Sequence, residues 1–115
     1  MASLKFPLTV EEKQRIQFIR PAPPRDLKAW GDRYREAGFL HDALEFYQAA
    51  TDRDSLQSLT DSAIEAADLV LFLNIYRALG SEPDAAGLQA LRQRALALGK
   101  EAAAAKASSL LIPAR

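Results

Sequence analysis

The chain predicts an all-α fold: three stacked antiparallel helical hairpins preceded by a short N-terminal helix and a proline-rich linker. Three observations carry this reading. Apolar residues recur at helical spacing from Leu27 onward, residues 27–50 (LKAWGDRYREAGFLHDALEFYQAA) place one such stripe on either side of Gly38, and weaker copies of that pattern follow. A recurring hairpin is the unit of an α-helical repeat, whose copies stack because one alone cannot bury its apolar face.

Residues 9–19 open with Thr-Val-Glu-Glu, a capping-box pattern in which the Thr9 hydroxyl accepts from the Glu12 amide and the Glu12 side chain reaches back. A short helix follows, and its apolar residues Ile16, Phe18 and Ile19 are expected to dock on the main body by the last turn. Arg20-Pro-Ala-Pro-Pro stops it, since proline lacks the amide donor and biases the residue before it to extended geometry. This boundary separates an arm, residues 1–25, from a helical-repeat domain, residues 26–112.

From Asp26, an expected N-cap, Leu27, Trp30, Gly31 and Tyr34 fall at i, i+3, i+4 and i+7 on one face, which is expected to be buried. Gly38 ends that helix, and Leu40, Ala43, Leu44, Tyr47 and Ala50 form the stripe of the next. A shift of 29 positions lays Leu56, Leu59, Ala63 and Ala67 on Leu27, Trp30, Tyr34 and Gly38, and Ile75 and Tyr76 on Phe46 and Tyr47. Asp68 is placed to cap the second helix of this copy and Gly80 to end it. A shift of 61 lays Leu88, Leu91, Ala95 and Gly99 on the same first-helix positions. The hairpins therefore fall at about 26–51, 55–79 and 83–112, with Pro83 expected in the first turn of the last one. Its second helix, rich in alanine from Glu101 to Ala107, has high helix propensity and little side-chain volume to bury.

The first hairpin resembles a tetratricopeptide repeat through Leu27, Gly31, Tyr34, Gly38, Ala43, Tyr47 and Ala50. Small residues at Gly31, Ala43 and Ala50 let two helices approach, and Tyr34 and Tyr47 fill the space between hairpins. Trp30 stands where that family usually has leucine, and no proline closes the repeat near Ser55. The spacings of 29 and 32 also fall short of the family's period of about 34. The resemblance implies a right-handed superhelix that binds a protein or peptide along a concave groove lined by the first helix of each repeat. By position that groove holds Lys28, Asp32, Arg35 and Glu36, then Gln57, Asp61 and Glu65, then Gln89 and Gln93. It is mixed in charge and lacks the run of lysines and arginines with which some family members clamp a terminal carboxylate.

Composition sets the remaining limits. At 115 residues, 49% apolar and 26% charged, the chain fits one domain able to bury about two-thirds of its unfolded surface. The absence of cysteine excludes disulfides, thiolate metal sites and thiol nucleophiles, and permits a reducing compartment. A formal net charge of zero argues against a dedicated binder of nucleic acid or anionic membrane. The first residues meet Pro7 and two glutamates early and form no apolar signal core, and the longest apolar run, residues 69–76, is far short of the roughly 20 needed to cross a bilayer. The expected setting is cytoplasmic.

Clusters with possible chemistry have simpler structural explanations. His41 and Glu45 share a helix face at i, i+4, yet no second histidine or His-Glu-x-x-His pattern supports a metal site. Asp52 and Asp54 lie at a helix junction where aspartate caps amides, and Asp61 belongs to a solvated face. Arg20, Arg25, Lys28, Arg33 and Arg35 form a locally basic stretch near Trp30 and Tyr34, but Asp26, Asp32 and Glu36 dilute it and both rings fall on the stripe expected to be buried. The glycines are too dispersed for a phosphate loop. The chain is thus expected to be a non-catalytic interaction module without metal or cofactor. The alternative is a self-associating structural subunit that uses its alanine-rich C-terminal helix and the tail at Leu110, Leu111 and Ile112.

Overall fold

The computed structural model describes residues 6–112, which form seven α-helices and one π-helical turn, with no strand among them. Helix α1, Val10–Gln14, starts on the expected capping box: Thr9 Oγ1 accepts from the Glu12 amide at 3.1 Å, and Glu12 Oε1 from the Thr9 amide at 3.0 Å. It runs into a π-helical turn, Arg15–Ile19, closed by the Arg20 amide donating to the Arg15 carbonyl at 2.8 Å. This turn corrects the expected docking of the arm. Ile16 is buried, but Phe18 and Ile19 are 70% and 72% exposed, and Gln17 takes the inward place. An i to i+5 bond widens the turn, so residues after Ile16 rotate off the side that a 3.6-residue period assigns them.

The next helices are α2, Pro24–Glu36, and α3, Leu40–Ala49, followed by α4, Arg53–Ala66, and α5, Leu69–Leu79. Helices α6, Ala85–Ala97, and α7, Glu101–Leu111, complete the chain. Two starts differ from expectation. Asp26 does not cap α2: the Pro23 carbonyl already accepts from the amides of Asp26 and Leu27, with Pro24 in the first turn, where its missing donor costs nothing. Pro83 lies just outside α6, whose cap is Asp84, accepting from the Gly87 amide at 3.1 Å. Asp52 accepts from both the amide and the hydroxyl of Ser55 at the start of α4, and Asp68 from the Leu71 amide at the start of α5.

The helices from α2 to α6 all end in one way. Residues 38, 51, 67, 80 and 99 have positive φ, and each donates its amide to the carbonyl three residues back. The residue after each one donates five residues back: Phe39 to Tyr34, Asp52 to Tyr47, Asp68 to Ala63, Ser81 to Tyr76 and Lys100 to Ala95. This pair of bonds is the Schellman motif, which satisfies carbonyls that a helix end leaves orphaned. Glycine occupies three of the left-handed sites, while Thr51 and Ala67 occupy the others at φ of 54° and 52°. The sites at 38 and 67, like those at 51 and 80, are 29 positions apart, the shift read from the apolar pattern.

Contacts divide the chain into two compact units, one up to Ser55 and one from Leu56. In the first, α2 packs on α3 around Leu27, Tyr34, Phe46 and Tyr47, all buried. Gly31 makes the close approach possible: a Cβ there would lie 2.5 Å from Tyr47 Cε1. The Tyr34 ring stacks on Phe46 at 5.3 Å and meets Phe6 edge-on at 4.7 Å, while its hydroxyl accepts from the Leu8 amide at 2.8 Å. Lys13 of α1 fastens the arm to α3 by ion pairs with Asp42 and Glu45.

In the second unit, α6 packs on α7, and Leu71, Phe72, Ile75 and Leu91 are fully buried. A small cluster of Ala67, Ala95 and Ala104 joins the end of α4 to both helices. Arg94 and Lys100 donate to the carbonyls of Glu65 and Ala66 at 2.8 Å each, placing cations on the negative end of α4. Arg92 ties α6 to Ser108 of α7 at 2.7 Å.

Candidate interaction surface

The residues expected to line a groove on the first hairpin lie along α2, where helical spacing sets Lys28, Asp32 and Arg35 on one stripe. Lys28 Nζ donates to Asp32 Oδ2 at 2.8 Å, and the Tyr47 hydroxyl of α3 donates to Asp32 Oδ1 at 2.5 Å. The positive charge of Arg35 acts on the Tyr47 hydroxyl in the opposite sense to Asp32, favouring its ionisation. Tyr47 thus fills the Gly31 notch with its ring and presents its oxygen to the charges of α2. Glu36 is exposed at the last turn of α2.

These partners shape the local electrostatics. Burial pushes the Tyr47 phenol well above its ordinary value, and the Asp32 carboxylate adds to the push. Burial alone would raise Asp32, but the bonds from Lys28 and Tyr47 hold it below the usual carboxylate range. The bond to Asp32 raises the Lys28 ammonium. Burial works against the charge on Lys13, yet Asp42 and Glu45 outweigh it and keep that ammonium above its ordinary value.

Gln57, Asp61 and Glu65 fall at i, i+4 and i+8 on α4 and are exposed, as are Gln89 and Gln93 on α6. Glu45, expected beside His41 on one helix face, is held by Lys13 at 2.8 Å. Among the described residues no three His, Cys, Asp or Glu side chains group as metal ligands would, and no helix is long and apolar enough to cross a membrane.

Trp30 corrects the expected stripe. Its counterparts Leu59 and Leu91 are fully buried, whereas Trp30 is only half-buried and lines a hollow of about 780 Å³ beside the arm. Ile16, Pro21 and Pro23 complete its apolar wall, and Arg15, Arg20, Arg33 and Asp26 supply the charges. The Arg33 guanidinium lies 5.4 Å from the Trp30 ring centroid and 4.9 Å from that of Phe6, a cation–π arrangement that fixes its position. The basic stretch of the sequence was the available signal for this hollow. The place of Arg20 beside Arg15 was not legible, because it depends on the π-helical turn.

No protein-family model matches the chain, and no curated protein or solved structure matches it.

Proposed function

We propose that the chain is a non-catalytic, cytoplasmic interaction module, a tetratricopeptide-like stack of three helical hairpins that binds a protein or peptide segment. The observation that supports this most is the polar network of Lys28, Asp32, Arg35 and Tyr47. The buried Tyr47 holds Asp32, which in turn pairs with Lys28, so the carboxylate at the centre of the stripe has little side-chain freedom to lose when a partner docks. Glu36 on α2, and Gln57, Asp61 and Glu65 on α4, all exposed, are proposed as further partner contacts, each on its own helix. Affinity capture from the native source, with the wild type and the triple variant Lys28→Ala, Asp32→Asn, Arg35→Ala as baits, tests this reading. A stoichiometric partner lost by the variant, with helicity and thermal midpoint preserved, supports it; a partner retained in full places the site elsewhere.

A second reading, a self-associating structural subunit, draws on α7. Ala104 and Ala107 are its buried residues, while Leu110 and Ile112 are 42% and 70% exposed. Light scattering across concentrations tests it, with a constant monomer mass counting against self-association.

A further inference from the structure

We propose that the hollow between the arm and α2 recognises an acidic peptide segment carrying one aromatic or branched aliphatic anchor residue. This rests on the interaction-module reading but uses residues other than the polar stripe of α2. The volume, about 780 Å³, lies within the range of formed ligand pockets, roughly 300 to 1,000 Å³. Its wall offers the Trp30 indole, the Ile16 side chain and two proline rings, a surface suited to one large apolar side chain. Its mouth carries three guanidiniums against the single carboxylate of Asp26.

Those guanidiniums are available. Among the described residues no carboxylate lies within ion-pair distance of Arg15, Arg20 or Arg33, and Asp26 approaches only Arg25, at 3.8 Å. The π-helical turn brings Arg15 and Arg20 to one rim, since the backbone bond between them closes that turn. Arg33, held against two rings, stands over Trp30. A purely apolar ligand would leave three cations without counter-charge, and a small anion would leave the indole and prolines uncovered. An apolar anchor flanked by carboxylates satisfies both, through charge-assisted bonds to arginine and burial of a ring against Trp30. A single-stranded nucleic acid fits less well. Asp26 stands in the mouth, and a chain of zero net charge lacks the field that gathers a polyphosphate.

Trp30 is the sole tryptophan, so its emission reports the hollow directly. The full chain is titrated with a short acetylated peptide of aspartates and glutamates around one phenylalanine. Controls replace the acids with lysines or the phenylalanine with alanine, or offer oligothymidylate instead. The expected result is a saturable change in Trp30 emission with the acidic phenylalanine peptide alone, weakened at least tenfold in Arg15→Gln/Arg20→Gln. Asp26→Asn is expected to tighten binding severalfold, a gain that misfolding does not produce. No saturable change, equal binding by the double arginine variant, or tighter binding of oligothymidylate overturns the proposal. If the peptide fails while the Lys28, Asp32 and Arg35 variant still loses its captured partner, the interaction module stands and only this site falls.

Discussion

The aromatic unit up to Ser55 and the alanine-joined unit after it end their helices with the same hydrogen bonds but fill their interiors with different side chains. In the first, Tyr47 enters the Gly31 notch and a further ring system clamps the arm; in the second, Phe72 faces Gly87 within a core of Leu71, Ile75 and Leu91, and Ala67, Ala95 and Ala104 join the end of α4 to α6 and α7. The corner chemistry sets where helices stop, and side-chain volume then decides what surface remains. Where rings separate the elements, the arm and α2 leave a hollow edged by arginines. The polar ties of the second unit instead join side chains to helix-end carbonyls or to one serine.

Tyr47 should show the largest effect. Tyr47→Ala removes a fully buried ring and the partner of Asp32 together, and should cost about 4 kcal/mol in chemical denaturation. Tyr47→Phe keeps the ring and should cost about 1 kcal/mol. Equal losses would mean that the hydroxyl, not the filled notch, joins α2 to α3.

The two glycine notches set the units against each other. Gly31→Ala should cost about 2 kcal/mol, because the new methyl meets the buried Tyr47 ring at 2.5 and 2.7 Å. Gly87→Ala meets the equally buried Phe72 ring less closely, at 2.9 and 3.1 Å, and should cost about 1 kcal/mol. The reverse order in urea unfolding would show that the second unit is the more tightly packed.

A smaller effect of opposite sign is expected at the corners. Thr51→Gly relieves a β-branched residue at φ 54° and should raise stability by about 0.5 to 1 kcal/mol. Ala67→Gly should gain less, because it relieves φ but deletes a methyl from the alanine cluster. Thermal midpoints of the two variants test that order.

The pH profile gives the finest distinction. Tyr47 has a raised pKa in the folded state, so its contribution is complete below the unfolded value near 10.0 and declines as pH rises beyond it. Asp32 has a lowered pKa, so its contribution is present above the unfolded value near 3.8 and is lost as pH falls through the folded value. Tyr47→Phe should therefore flatten the alkaline limb of the urea midpoint measured from about pH 8 to 11. An unchanged slope there would remove Tyr47 as its source, leaving Lys13 and Lys28, which titrate in the same sense.

Much of this was legible in the sequence because it depends on local chemistry. The Thr9 capping box, the Asp68 cap, the glycine ends at 38, 80 and 99, and the need for a small residue at Gly31 each follow from residue type at a fixed offset. What was not legible depends on neighbours distant in sequence or on a departure from the assumed period. Nothing in Thr51 or Ala67 announces a left-handed backbone; the shift from Gly80 and Gly38 points to it once the copies are aligned. The π-helical turn breaks the 3.6-residue rule, so Phe18 and Ile19 face outward and Arg20 joins Arg15 at the rim of the hollow. Trp30 occupies a core position in the repeat pattern, and only the arm beside it makes that position a wall.

We propose above all that the hollow beside Trp30 takes an acidic peptide, at a site separate from the polar stripe of α2. Mapping amide and indole shifts by two-dimensional nitrogen–proton NMR, while the acidic phenylalanine peptide is added to the full chain, tests it most directly. The predicted result is that the largest shifts fall on Arg15, Arg20, Arg33 and the Trp30 indole, with α6 and α7 unmoved. Largest shifts along Gln57, Asp61 and Glu65, or on α7, would contradict it.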